Sequence, residues 1–236
     1  MALTQPKEWR IRQQRRKPST ANSVLKTGLE MIITCFILGD GPAMALQFFS
    51  KFTAIGSSTL QSLTEQIHFE KPIVKKGATL VLPTKNIFKE IIDHVKNTKY
   101  LLIFIGGNDA TDDGAVKIRP VDTRTLLIDG FSTILKVRAF SKYRNYPLVF
   151  ILLLPRHIAS CPGISKKLRI LNKKIKQITQ KTKAEHKTNI TYIDPHPALA
   201  SPAKAKQNFT RDEKHLTFLG GQRLIASLFK NTEHLR

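Results

Sequence analysis

The 236-residue chain is poor in the residues that staple or anchor a protein. It has two cysteines, Cys35 and Cys161, and neither sits in a CxxC or other metal-ligand spacing. Two thiols make no disulfide framework, so nothing argues for a secreted scaffold. No set of His, Cys and carboxylates has metal-ligand spacing, so neither a metal nor a cofactor is expected. Long apolar runs are also missing. The longest, residues 31–38, is too short to cross a bilayer. The first residues are polar and basic, and no apolar stretch of signal-peptide type follows them. These absences lead to the expectation of an intracellular protein without a transmembrane segment. Acidic residues are scarce as well: 17 Asp and Glu stand against 39 Lys and Arg, a formal charge of +22. Folding does not require such an excess, which predicts attraction to polyanions, nucleic acid first and an anionic membrane surface second.

What is present is an ordinary share of hydrophobic residues, 41%, enough for the core of a single domain. Residues 1–22 are rich in Arg, Gln and Ser and are expected to form a flexible basic arm. From residue 23 to 236 the pattern is that of one domain. Five apolar runs recur: 31–38, the weaker 72–75, 100–105, 148–154 and 190–193. Three are nearly continuous in apolar side chains, as expected of strands covered by helices on both faces. The segments between them carry helical period. Thr84 is a plausible N-cap for a helix presenting Ile87, Ile91 and Val95. Ile164, Leu168, Leu171, Ile175 and Ile178 form one stripe of a lysine-rich helix, and Leu224, Ile225 and Leu228 face inward on the last one. Residues 110–123 and 195–210 read as long surface loops. Strands alternating with helices predict an α/β fold: a three-layer α/β/α sandwich around a five-stranded, mostly parallel, doubly wound sheet of flavodoxin-like type.

Ligands bind such sheets beyond the carboxyl ends of the strands, so the segments following each run carry the chemistry. They read Gly39-Asp40-Gly41-Pro42, Gly77-Ala78-Thr79-Leu80 and Gly106-Gly107-Asn108-Asp109, and Asp212-Glu213-Lys214-His215 precedes the last helix. Each alone is ordinary turn or helix-start chemistry. Their conjunction and order carry the signal.

In that order the sequence resembles the SGNH (GDSL-type) hydrolase superfamily, over roughly residues 30 to 230. The family's Gly-Asp-Ser block is matched by Gly39-Asp40-Gly41, its second-block glycine by Gly77, its Gly-x-Asn-Asp by Gly106 to Asp109, and its Asp-x-x-His by Asp212 and His215. The resemblance implies that His215 is the base and Asp212 its orienting partner. It implies an oxyanion hole built from the N–H groups of Gly41 and Gly77 and the amide of Asn108. Glycine stands where the family has its serine, so the expected protein is a catalytically impaired esterase homologue. The alternative is an active ester hydrolase in which water or another residue replaces the missing nucleophile, with a small acyl ester as substrate. Leu154-Pro155-Arg156 is similar to the esterase domains of non-LTR retrotransposons, and the missing serine to the RNA-binding domain of the germ-plasm protein Oskar.

The charge makes RNA or DNA the expected partner. Candidate phosphate contacts are Arg10, Arg12, Arg15, Arg16 and Lys17 on the arm. On the basic helix they are Lys166, Lys167, Arg169, Lys173, Lys174 and Lys176. Trp9, Tyr143 and Tyr146 are the candidate stacking rings. A membrane-surface role for the same helix is disfavoured, because its apolar stripe lacks Trp and Phe and is needed for the sheet. His157, His196, Asp112, Asp113 and Asp194 read as loop residues.

Overall fold

In the computed structural model the described residues are 47–81, 85–111, 120–151, 162–195, 199, 207–210 and 215–232. The chain divides into two compact units, Met1–Ala43 and Met44–Arg236, and the first lies outside the described residues. The division falls some way beyond residue 22, where the composition of the arm ends.

Within the second unit the order is β1 (Thr53–Gly56), α1 (Ser58–Thr64), β2 (Lys71–Val74), α2 (Phe88–Asn97), β3 (Leu101–Phe104), α3 (Gly107–Thr111), α4 (Pro120–Ala139), β4 (Leu148–Ile151), α5 (Pro162–His186), β5 (Ile190–Ile193) and α6 (Phe218–Thr232). The five strands form one parallel sheet in the order β2-β1-β3-β4-β5. Pro72, which lacks an N–H, lies on β2 at the edge of the sheet, where a proline costs least.

Alternation along the strands divides the core into two layers. On β3, Leu101 and Ile103 join Ile91 and Val95 of α2, Phe131 and Leu135 of α4, and Leu171 and Ile175 of α5. Leu102 and Phe104 point the other way, into a cluster with Leu60 and Leu63 of α1 and Leu224, Ile225 and Leu228 of α6. The three-layer α/β/α fold expected from the alternation is therefore the observed one. Ile87, Ile91 and Val95 are buried as their spacing predicts. Thr84 lies outside the described residues; the first turn of α2 is closed by Asn86, whose Oδ1 accepts from the Phe88 N–H at 2.8 Å.

Three sequence expectations need correction. The strand that opens the described sheet is residues 53–56, whereas the apolar run 31–38 was expected to supply it. Residues 31–38 lie outside the described residues, and β1 already fills the position between β2 and β3. The segment 110–123 is not loop throughout, since α4 begins at Pro120, a residue suited to a helix's first turn. Nor is 195–210 all surface: Leu199, Asn208 and Phe209 are buried. Asn208 tolerates burial because its Nδ2 donates to Leu199 O at 2.8 Å and its Oδ1 accepts from Arg223.

Candidate active site

The carboxyl ends of β1, β2 and β3 finish level, with Gly56 in register with both Val74 and Phe104. The segments leaving them are stitched together by the main chain. The Lys75 N–H donates to Gly56 O at 2.9 Å, and the Ser57 N–H donates to Phe104 O at 3.3 Å. Gly56 permits this closeness, because a Cβ there would come within 2.6 Å of Phe104 O and 2.8 Å of Leu60 Cβ. The order of strands reverses between β1 and β3, the point where parallel α/β sheets open a crevice.

Ser58 opens α1 at that point. A helix of seven residues is not stable alone. Leu60 and Leu63, both fully buried, hold it against the sheet, each burial contributing at most about 1.5–3 kcal/mol. Ser58 is thereby fixed on the exposed side of the helix start. Its Oγ lies 2.7 Å from Nε2 of His215, across 157 residues of sequence. Both residues are half-buried.

His215 owes its position to a short antiparallel pairing of Phe209 with Leu216. The Thr210 N–H donates to His215 O and the Thr217 N–H to Asn208 O, each at 2.9 Å. Thr217 then caps α6, its Oγ1 accepting from the Gly220 N–H at 3.1 Å. The Ser62 hydroxyl, one turn along α1 from Ser58, donates to Leu216 O at 3.5 Å, a second tie between the two elements.

Beside this pair the segments after β2 and β3 are locked to each other. Gly77 has φ of +69°, a left-handed conformation that favours glycine. Asn108 Nδ2 donates to Ala78 O at 3.0 Å, leaving the second N–H of the amide for another acceptor. Asp109 is buried, and its carboxylate accepts from the Leu80 N–H at 2.9 Å and the Val81 N–H at 3.0 Å. The third block therefore clamps the second from two adjacent side chains.

The contact of Ser58 with His215 bears on the expectation of a missing nucleophile. That expectation rested on Gly41 following the first strand. The described first strand ends at Gly56, and the sequence after it is Gly56-Ser57-Ser58. Gly41 and Asp212 lie outside the described residues. The structure brings Gly77 and Asn108 together through Ala78 O, and His215 to Ser58. Sequence reasoning missed Ser58 because a four-residue strand of Thr, Ala, Ile and Gly is eclipsed by the stronger apolar run 31–38. The available signal was the Gly-Ser-Ser after Ile55, with only 12 residues between it and β2.

The arm residues Arg10, Arg12, Arg15, Arg16 and Lys17, with Trp9, also lie outside the described residues, as do His157, His196, Asp112 and Asp113. Lys166, Lys167 and Arg169 fall on α5 where side chains are not described, while Lys173, Lys174 and Lys176 are exposed on it. Tyr143 and Tyr146 precede β4, at the opposite end of the sheet from Ser58. Asp194 is exposed after β5. Among the described residues no group of His, Cys, Asp or Glu could hold a metal ion, and no helix is long and apolar enough to cross a membrane.

The chain shares its α/β/α fold with solved structures of esterases and a lipase. Three solved structures of that architecture illustrate the likeness. An acetylxylan esterase from Geobacillus stearothermophilus superposes with a TM-score of 0.52 at 12% identity, covering 76% of this chain and 92% of that one. An α/β hydrolase enzyme from the metagenome of Lake Arreo, Spain, gives 0.54 at 9% identity, covering 78% and 95%. A lipase from a goat rumen metagenome gives 0.50 at 16% identity, covering 76% and 96%. No family model and no curated protein matches the chain in sequence. At these identities the likeness is one of fold.

Proposed function

We propose that the protein is a serine hydrolase of small acyl esters, with Ser58 as nucleophile and His215 as general base. The observation that carries this reading is the 2.7 Å separation of Ser58 Oγ from His215 Nε2, within the reach a base needs to take the hydroxyl proton. Ser58 Oγ attacks the ester carbonyl carbon as His215 takes its proton. The tetrahedral intermediate collapses, and His215 returns that proton to the departing alcohol. Water, activated by the same imidazole, then releases the acid and restores Ser58. The N–H groups of Ser58 and Gly77 and the second amide N–H of Asn108 are assigned to the oxyanion. Asp212, three residues ahead of the imidazole, is assigned the role of holding its tautomer. The naming of structural neighbours as esterases and a lipase supports ester substrates over amides.

The test is covalent. A fluorophosphonate ester should label the full chain, and peptide mass spectrometry should place the adduct on Ser58. Labelling should disappear in Ser58→Ala and His215→Ala, with circular dichroism unchanged. An adduct on any other serine would overturn the assignment.

The charge of +22 and the exposed Lys173, Lys174 and Lys176 on α5 favour a second, compatible reading. In it the basic surface binds a polyanion, nucleic acid above all. Filter binding of the full chain to single-stranded RNA at rising salt tests it, and an affinity indifferent to salt would oppose it.

A further inference from the structure

Among the described residues, helices α2, α4 and α5 pack on one face of the sheet and finish at the amino ends of its strands, opposite Ser58, and each carries basic residues in its last turn. Lys96 of α2 and Lys136 of α4 line one groove there, of about 420 Å3, together with Val137, Phe140 and Ser141. Phe140 is 78% exposed, the most exposed large hydrophobic side chain among the described residues. Its ring packs in a T-shaped pair with that of His186, 5.1 Å away at the end of α5. Beside the groove Lys99 lies 5.7 Å from the centre of the Tyr146 ring, and Lys142 lies 5.0 Å from that of Tyr143. Among the described residues, neither ion pair between side chains, Lys75 with Glu90 or Lys181 with Glu185, involves Lys96, Lys99, Lys136 or Lys142.

Cations at helix C-termini complement the helix dipoles, which accounts for some of the lysines. It does not account for an exposed phenyl ring sharing a groove with two of them. A solvent-facing ring in one groove with two lysines matches a base stacked on an aromatic with neighbouring phosphates held by ammonium groups. The apolar area is a single ring and a valine, too little to insert into a bilayer, so the observations favour a polynucleotide over a membrane. We infer that this groove, bounded by Lys96, Lys136 and Phe140, is a docking site for single-stranded nucleic acid, at the opposite end of the sheet from the proposed ester-hydrolysing site. The inference rests on the polyanion reading and is independent of the esterase one. The groove edge is firm, because the buried Arg138 ties the carbonyls of Val95, Thr98 and Tyr146 into one block.

The experiment is fluorescence anisotropy with the full chain, using fluorescein-labelled oligouridylate, the matching oligodeoxythymidylate, and phosphatidylserine vesicles as competitor. Lys96→Gln/Lys136→Gln should reduce the slope of log affinity against log salt by about 1.4, the share of two phosphate contacts on a single strand. Phe140→Ala should weaken binding about fivefold or more while leaving that slope unchanged, as loss of a stacked base does. Ester hydrolysis should be unaltered in both. Binding unchanged in these variants but lost in Lys173→Glu/Lys174→Glu/Lys176→Glu would overturn the groove and keep the polyanion reading. A wild-type chain that binds neither oligonucleotide would overturn both. Binding to vesicles alone, weakened by Phe140→Ala, would assign the groove to a membrane surface and overturn the proposal. Equal weakening for RNA and DNA supports stacking; an effect on one alone supports the groove and fixes the partner.

Discussion

The two ends of the sheet differ in kind. At the carboxyl ends of β1 to β3 the chain is stitched together by main-chain hydrogen bonds, and there Ser58 Oγ meets the His215 ring and Asn108 Nδ2 donates to Ala78 O. At the amino ends, helices α2, α4 and α5 finish in lysines and an exposed ring. A parallel sheet imposes this division. Every crossover helix runs back against its strand, so backbone N–H groups gather at one end and carbonyls at the other. The first suits a developing oxyanion and the second suits cations. On the proposed reading one topology separates chemistry from attraction, and each end is open to perturbation without the other.

The sharpest way to break the comparison is to disarm one end. Ser58→Ala should lower turnover of p-nitrophenyl acetate on the order of a million-fold, with oligonucleotide affinity unchanged; a variant retaining most of its rate would refute Ser58 as nucleophile. Gly41→Ser should restore nothing to Ser58→Ala. The next effect concerns the oxyanion. Asn108→Ala should cost about 100- to 1,000-fold in kcat with little change in KM, read from steady-state kinetics at fixed pH.

Arg138 sharpens the other end. Its guanidinium is fully buried, and donates to Val95 O at 3.1 Å, Thr98 O at 2.6 Å, Tyr146 O at 3.1 Å and also to Lys99 O. Burial lowers its pKa to about 10, so it stays charged at neutral pH. Arg138→Met should destabilise the fold by about 3 kcal/mol or more in urea, because carbonyls lose their donors. Arg138→Lys should recover only part of this, since one ammonium cannot span four acceptors. Ester hydrolysis by the folded fraction should be spared.

The smallest effect is one of pH. Burial, then Lys71, holds the His94 imidazole below its usual 6.5. As pH falls, the unfolded chain takes up that proton first. The stabilisation is complete above about pH 6.5 and is lost as pH drops through the lowered value. His94 is only half-buried, so His94→Gln should flatten the acid limb of stability only slightly, by well under about 1 kcal/mol. Urea midpoints between pH 5 and 7.5 would measure it.

Much of this fold is legible in the sequence. The runs ending at Phe104, Ile151 and Ile193 are strands because their side chains are apolar on both faces, a pattern written in consecutive residues. Gly77, Asn108 and His215 are legible for a similar reason: each sits in a short motif beside an element that periodicity reveals. β1 was not, because Thr53 to Gly56 is short and carries small side chains, and its place in the sheet is made by neighbours. Phe49, Phe52 and Tyr100 pack as a ring cluster at its entry. Arg138 was equally hidden: in sequence it is one more basic residue near a helix end, and only packing reveals four carbonyls converging on it.

The sequence alone determined the alternation of strand and helix, the excess of positive charge and the motifs after β2, after β3 and before α6, since all are local properties of composition and period. Only the tertiary structure decided which hydroxyl meets His215. That meeting spans 157 residues, and no local pattern encodes it. It depends on β1 pairing between β2 and β3 and on two buried leucines pressing a seven-residue helix onto the sheet, where packing overrides weak local preference.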